Sequence, residues 1–336
     1  MIVIVYYNLC LFLIFLFIFI TGFHDEGNLI ATIITSRSLN VYLIFTLAFV
    51  FQFLGSMFLG TKVAVNTINN LFNLGQIGTD SKGFTVAVCA AMLGATIWNI
   101  ITWVTKIPSS SSHAIIGGLL GPFLVRYGVG SIRLGGIVSG VLLPLFTSPV
   151  IGYLFGFLIY RINRFCFRDA GAQSKKTFER LQVVTCALIN AFQGSNDAQK
   201  GMGVVALLLF GTARSGRLAV PPSAVLASAL AIAVGLVLGG LKMIKSVGTK
   251  IYSVRALHSL SSQAAALLVI GASSSLGFPV SGTQIVNSAI LGVGAADRPN
   301  AVGWDYAKNM MKAWGVTIPA SLALSAGIYW VLARFL

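Results

Sequence analysis

The chain has 336 residues, of which 56% are hydrophobic and only 9% are charged, and its formal net charge is +15. Soluble proteins contain about 25% charged residues, so this composition excludes a water-soluble globular protein. The basic residues are concentrated between apolar stretches, which is typical of the cytoplasmic loops of membrane proteins. We therefore expect a lipid bilayer, and no nucleic acid, as the partner of this chain.

Apolar stretches of about 20 residues recur along the chain, each long enough to cross a bilayer as an α-helix. The first lacks a basic leading region and a small-residue cleavage site, so it is predicted to be a retained span. The stretches are too long and too uniformly apolar for barrel strands. The sequence therefore predicts an all-α, multi-pass membrane protein whose spans include residues 1–22, 41–60, 84–104, 134–160, 219–241 and 314–333.

A basic segment, residues 161–180, divides the chain into a first membrane repeat (1–160) and a second membrane repeat (181–336). By the positive-inside rule, this segment is predicted to be a cytoplasmic loop. Its basic residues are Arg161, Arg164, Arg168, Lys175, Lys176 and Arg180.

The two halves repeat the same landmarks in the same order. HDEGN (24–28) and GSNDAQK (194–200) each place an aspartate after an apolar run, Asp25 and Asp197, with a polar residue three positions later, Asn28 and Lys200. PSSSSH begins 83 residues after the first aspartate, and PVSGTQ begins 82 residues after the second. Each half contains about five predicted spans. An internal duplication with an odd span number predicts inverted-topology repeats, with a site near the bilayer midplane.

Hydroxyl residues cluster where each half is predicted to start a short helix. Pro108 and Pro279 are suited to the first turn of a helix, and residues 113–121 are predicted to form a half-helix. The free N–H groups and the positive dipole end at a helix N-terminus favour an anion. Ordinary N-capping explains either cluster alone. Because the clusters are paired, we expect them to hold a tetrahedral oxyanion from both sides, through Ser110, Ser111, Ser112, Ser281 and Thr283.

Asp25 and Asp197 occupy corresponding positions in the repeats, and ionisable groups within spans are costly enough to indicate function. A carboxylate repels a bound anion unless a proton or a cation binds as well. Such coupled entry of an anion and a positive ion is the activity of a symporter. Lys200 could pair with Asp197, bind the anion or extend to the interface. Asn99 and Trp103, four residues apart, are predicted to serve in helix packing.

These motifs resemble those of the PiT family of inorganic phosphate transporters, especially the bacterial low-affinity permeases. The similarity covers nearly the whole chain, in GFHDEGNLIATIITSRSL (22–39), IWNIITWVTKIPSSSSHAIIGGLLG (97–121), QGSNDAQKGMG (193–203), GGLKMIKSVGTKI (239–251) and FPVSGTQIVNSAILGVGAADR (278–298). It implies phosphate import across the bacterial inner membrane, driven by a proton or sodium gradient and without a cofactor. Some relatives carry a neutral divalent-metal phosphate complex, and such carriers are often dimers.

The residues and the resemblance together predict two overlapping sites. The predicted coupling-ion residues are Asp25, Asn196 and Asp197. The predicted phosphate-binding residues are Asp25, Asn28, Ser110, Ser111, Ser112, Asp197, Lys200, Ser281 and Thr283. No metal-ligating motif is evident in the sequence.

The chain departs from the family pattern mainly in its second half. Relatives usually read P-V-S-T-T-H where this chain has Gly282 and Gln284. Gln193 replaces a frequent histidine, Gln263 stands near an expected glutamate, and Glu26-Gly27 replaces a small pair. A glutamine can hydrogen bond but cannot titrate, so the coupling ion and its stoichiometry stay open.

Two rival functions are compatible with parts of the pattern. Sulfate or arsenate would fit the same hydroxyls, but phosphate can be protonated near neutral pH and sulfate cannot. An intramembrane aspartyl protease would use two aspartates that share a proton. Residues 194–197 read GSND, without the G-x-G-D context of many such proteases, and a protease leaves the duplicated hydroxyl clusters unexplained.

Overall fold

The computed structural model describes the backbone of residues 2–77, 80–105, 107, 109–168, 174–213 and 217–335. It describes the side chains of the same residues except 2–4, 174–175, 213, 240–250 and 335. The first half forms α1 (Ile2–Asp25), α2 (Gly27–Ser36), α3 (Val41–Phe58), α4 (Lys62–Leu71), α5 (Ser81–Val104), α6 (Ser111–Tyr127) and α7 (Leu134–Cys166, with a π-helical stretch at Ile137–Leu142). The second half forms α8 (Ser174–Ala213), α9 (Pro222–Lys250), α10 (Ala256–Leu276), α11 (Gly282–Asp297) and α12 (Trp304–Leu332).

Within the described residues, seven helical stretches are long and apolar enough to cross a membrane. They include all six spans predicted from the sequence, so the all-α, multi-pass prediction is confirmed. The sequence analysis missed α10, because serine and glutamine residues lower the mean hydropathy of this helix to 1.3. The seven stretches are Val5–Ser36, Val41–Phe58, Ser81–Val104, Leu134–Cys166, Pro222–Gly239, Ala256–Leu276 and Trp304–Leu332.

Corresponding helices of the two halves exchange partners. The first helix of each half packs on a long helix of the other half, so α1 contacts α9 and α8 contacts α3. The short helix of each half packs on the last helix of the other, so α6 contacts α12 and α11 contacts α7. A duplicated chain predicts this exchange. That the two copies cross the membrane in opposite directions stays a prediction, as do the boundaries of the two repeats.

Glycines bring the exchanged helices into close contact. A Cβ atom at Gly156 of α7 would overlap the carbonyl oxygen of Ala289 in α11, and one at Gly292 of α11 would overlap that of Tyr153. Gly121 of α6 lies equally close to the backbone of Leu322 in α12. Small residues allow such close backbone approach between membrane helices, so both short helices are held firmly by the opposite half.

Two helix ends position the candidate site. Gly277 adopts a left-handed conformation (φ 83°) that ends α10 and leaves an extended segment before α11. Asp25 is the last residue of α1, and α2 begins at Gly27. The predicted correspondence with Asp197 is therefore inexact, because Asp197 lies inside the 40-residue helix α8.

The basic segment differs from the predicted loop. Residues 161–166 belong to α7 and residues 174–180 to α8, whereas residues 169–173 lie outside the described part of the chain. Its described positive charges are therefore carried mainly by helix ends, as expected for residues that flank spans.

Candidate functional site

The short helices α6 and α11 begin side by side. Ser110 is the N-cap of α6 and Ser281 is the N-cap of α11, and the Ser110 hydroxyl donates to the Ser281 hydroxyl at 2.9 Å. Both residues are buried. Pro108 lies outside the described residues. Pro279 stands three residues before α11 and not in its first turn, so the prediction that it opens the helix was wrong.

The two halves contribute matching contacts to this site. Asn28 of the first half donates to the Thr283 hydroxyl at 3.4 Å. Lys200 of the second half donates to the Ser112 hydroxyl at 2.6 Å. In each case, the residue three positions after the repeated aspartate reaches the first turn of the other half's short helix. The motifs repeated in the sequence therefore meet in one buried site between the two halves.

Asp25 has hydrogen-bond partners on both carboxylate oxygens, one of them in α6. One of its carboxylate oxygens accepts the backbone N–H of Ser111 at 3.1 Å, and the other is bonded to His24 Nδ1 at 2.6 Å. Asn99 of α5 donates to the Ser111 hydroxyl at 3.0 Å. Asn99 thus contacts the serine cluster, and the prediction that it serves in packing and not in substrate contact stays a prediction. The burial of this amide within an apolar span was the available signal for the contact.

Asp197 and Lys200 form a buried ion pair on α8. The Lys200 ammonium also donates to the Val280 carbonyl at 2.6 Å, while Gln193 donates to the second Asp197 oxygen at 2.7 Å. Lys200 is only 4% exposed, so it does not extend to the interface. The prediction that it pairs with Asp197 is confirmed by this geometry.

Asn196 is turned toward the extended segment before α11. Its amide donates to the Ser274 hydroxyl and the Phe278 carbonyl, both at 3.0 Å, and its carbonyl accepts the Val280 N–H at 3.2 Å. The structure thus joins Asn196 to the backbone that leads into α11. Its assignment to the coupling-ion site stays a prediction.

Two of the second-half departures from the family pattern, Gln193 and Gly282, contact each other. A Cβ atom at Gly282 would overlap the side-chain amide of Gln193, so the two replacements are complementary in space. Gln284 lies 3.4 Å from His113 Nδ1 across the two short helices. Gln263 donates to the hydroxyls of Thr32 and Ser259. Each glutamine therefore supplies a neutral hydrogen bond at its position.

We expect Gly282→Thr to lower the phosphate uptake that the resemblance implies, because the new side chain displaces Gln193 from Asp197. Combining it with Gln193→Ala relieves the overlap. The double variant should therefore take up phosphate faster than the two single effects together predict, and the difference should correspond to a coupling free energy of about 0.5–3 kcal/mol. A double-mutant cycle of initial uptake rates measures this term. Strictly additive single effects would contradict the proposed complementarity.

The composition of the site suits an anion with accompanying positive charge. Hydroxyls, a side-chain amide, a lysine and two helix N-termini supply donors, and the two aspartates supply negative charge. Among the residues that the structure describes, no group of three or more His, Cys, Asp or Glu side chains is arranged to hold a metal ion. A buried polar site between two packed halves of a helical membrane protein defines a membrane transporter.

Comparison with known proteins identifies the family. The model described as "Phosphate transporter family" matches residues 21–325, and the chain belongs to this family. A protein of Bacillus subtilis (strain 168) titled "Probable low-affinity inorganic phosphate transporter" is 36% identical over 318 residues, covering 94% of each chain. One of Rhizobium meliloti (strain 1021) with the same title is 37% identical, covering 93% of this chain and 92% of its own.

A solved structure titled "The sodium-dependent phosphate transporter" has the same fold. It superposes with a TM-score of 0.88 at 22% identity, covering 99% of this chain and 100% of its own. The resemblance to phosphate transporters is therefore confirmed, and the family membership removes the aspartyl protease alternative. The roles of the individual site residues remain predictions.

Proposed function

We propose that this chain imports inorganic phosphate as a symporter, with phosphate bound between the N-termini of α6 and α11. The observation that carries the proposal is the hydrogen bond between Ser110 and Ser281. It brings together the N-caps of two short helices that belong to different halves. Two helix N-termini that meet at buried hydroxyls form a site suited to a tetrahedral oxyanion.

Phosphate binding would exchange contacts within the site for contacts to the ligand. The Ser110–Ser281 hydrogen bond opens, and both hydroxyls turn to the phosphate oxygens. No side chain caps the first turn of α11, so its N–H groups are available to the anion. The Lys200 ammonium adds a charge-assisted hydrogen bond, which is the stronger type.

The aspartates make phosphate entry depend on positive charge. Asp25 and Asp197 are both about 95% buried, and Lys200 is paired with Asp197. Bringing a phosphate anion to this cluster without compensation would place like charges together in a medium of low dielectric constant. A proton or a sodium ion that enters with phosphate removes this cost, which supports symport.

Phosphate is favoured over sulfate because its protonation state can change near neutral pH. Sulfate stays doubly charged and would need more compensating charge at the same carboxylates. Transport as a divalent-metal phosphate complex, and assembly as a homodimer, are further expectations that the resemblance implies. An uptake assay with and without a chelator distinguishes the metal complex from free phosphate.

We expect proteoliposomes with the purified chain to accumulate radiolabelled phosphate when an inward proton or sodium gradient is imposed separately. The ion whose gradient drives uptake is the coupling ion. Excess unlabelled phosphate should compete at least about tenfold better than sulfate, since one lost hydrogen bond to a buried group is worth that factor. Absence of gradient-driven uptake by folded protein, or equal competition by sulfate, would contradict the proposal.

A further inference from the structure

Glu26 is a buried acid that the proposed phosphate site does not use. It lies between α1 and α2, next to Asp25, and is 0% exposed. Neither of its carboxyl oxygens has a hydrogen-bond partner among the described residues. Asp25 and Asp197 differ from it, since each accepts hydrogen bonds on both oxygens.

The surroundings of Glu26 disfavour a negative charge. A buried carboxylate without donors is too costly to persist, so it must bind a proton or a cation. The charged groups around it are Asp197, Asp25 and Lys200. Two of these neighbours are themselves acids, and Lys200 is already paired with Asp197.

The charges of the cluster show why one carboxyl has to be neutral. If all three acids were ionised, three negative charges would face the single positive charge of Lys200. His24 is bonded to Asp25 and offsets at most one more charge. The other histidine near the site, His113, contacts Gln284 and not one of the three acids. Glu26 accepts no hydrogen bond from the described residues, so its protonation breaks none.

We propose that Glu26 binds the coupling proton and shares it with Asp197 while phosphate occupies the site. This inference rests on the proposed symport function and names its ion. Protonated Glu26 becomes a hydrogen-bond donor, and the neighbouring Asp197 carboxylate is a group that can accept the bond. A pair of carboxyl groups that holds one proton between them is the expected state of two close acids.

A single buried carboxyl group can hold a proton without any set of surrounding ligands, and Glu26 is such a group. The corresponding residue of the second half is Ala198. The chain therefore carries one such acid, and we infer one proton site of this kind for each phosphate site.

During transport, the proton neutralises Glu26 while phosphate adds negative charge beside Asp25 and Asp197. When the site opens to the cytoplasm, water hydrates Glu26, and the proton leaves with phosphate. Because binding is reciprocal, a proton that strengthens phosphate binding is itself held more tightly when phosphate is bound. Phosphate affinity should therefore fall as the pH rises through the range in which Glu26 loses its proton.

The test compares Glu26→Gln with the unaltered chain in proteoliposomes. Glutamine imitates protonated glutamic acid, so tracer exchange at equal phosphate on both sides should persist. Accumulation driven by a pH gradient should fall at least about tenfold, a typical size for a coupling between two sites. Asp305→Asn, which alters a 98% exposed acid, is the matched control and should retain both activities.

A second measurement on the unaltered chain avoids dependence on the folding of a variant. Phosphate is added to purified protein in weakly buffered detergent solution, and a pH indicator reports protons taken up per phosphate bound. We expect uptake of about one proton beyond the protonation of phosphate itself, and its loss in Glu26→Gln. No such uptake by the unaltered chain would overturn the proposal.

The remaining outcomes separate this inference from the symport function. Uptake by the unaltered chain driven by sodium alone would overturn the role of Glu26 and leave symport standing. Retention of pH-driven accumulation by Glu26→Gln would do the same. Loss of exchange along with accumulation in folded Glu26→Gln would show a binding role in place of proton coupling. Failure of the unaltered chain to take up phosphate under either gradient would overturn both proposals.

Discussion

Asp197→Asn should lower phosphate uptake at least about 100-fold, because it breaks a buried ion pair. Lys200 is 4% exposed and contacts Ser112 and Val280 as well as Asp197. An asparagine keeps the shape of the side chain but leaves the lysine charge unpaired. Removing one partner of a buried pair costs about 3–5 kcal/mol. The unpaired Lys200 ammonium would stay hydrogen-bonded to the Ser112 hydroxyl, which phosphate needs as a ligand.

Initial rates of radiolabelled phosphate uptake, normalised to folded protein, measure this effect. The double variant Asp197→Asn/Lys200→Met removes both charges, so it should recover thermal stability without recovering transport. The exposed pair Asp305–Lys308 has the same three-residue spacing and a separation of 3.6 Å. Asp305→Asn should change uptake very little, since exposed pairs contribute about 0–1 kcal/mol. Near-normal uptake by Asp197→Asn would exclude the ion pair from the transport site.

Gly156→Leu should destabilise the fold by about 3 kcal/mol or more, because its Cβ atom would overlap the backbone of α11. The overlapping atom is the carbonyl oxygen of Ala289, which cannot rotate away as a flexible side chain could. The substitution would push α11 off α7 and separate Ser281 from Ser110. We therefore expect loss of phosphate uptake together with loss of thermal stability.

Thermal unfolding in detergent, followed by size-exclusion chromatography, measures this effect. Gly327→Leu in α12 is the matched control, because a Cβ atom there would meet nothing within 4 Å. It should unfold at the temperature of the unaltered chain and retain transport. Equal stability of the Gly156 and Gly327 variants would contradict the close packing of α11 on the opposite half.

The main parts of the site could be predicted because the duplication marks them twice. Asp25, Asp197 and the hydroxyl clusters repeat at nearly equal spacing, and the structure brings them into one buried cluster. Lys200 could be predicted as a partner of Asp197 because the two stand three residues apart on a helix, where side chains meet.

The remaining contacts depend on packing between segments distant in sequence. The approach of Gln193 to Gly282 requires α8 to lie against α11, and no local pattern fixes that distance. Asn99 was assigned to packing because its contact with Ser111 needs the chain to turn between α5 and α6. In the sequence, Glu26 is recognisable only as a departure from the family pattern. Its burial without hydrogen-bond donors is visible only in the structure.

The most direct measurement is a crystal structure grown with arsenate, a tetrahedral analogue of phosphate whose arsenic atom gives an anomalous signal. We predict one strong peak between the N-termini of α6 and α11, with Ser110 and Ser281 both within hydrogen-bonding distance of its oxygens. A peak that contacts only one of these helices, or that lies elsewhere in the protein, would contradict a phosphate site shared by the two halves.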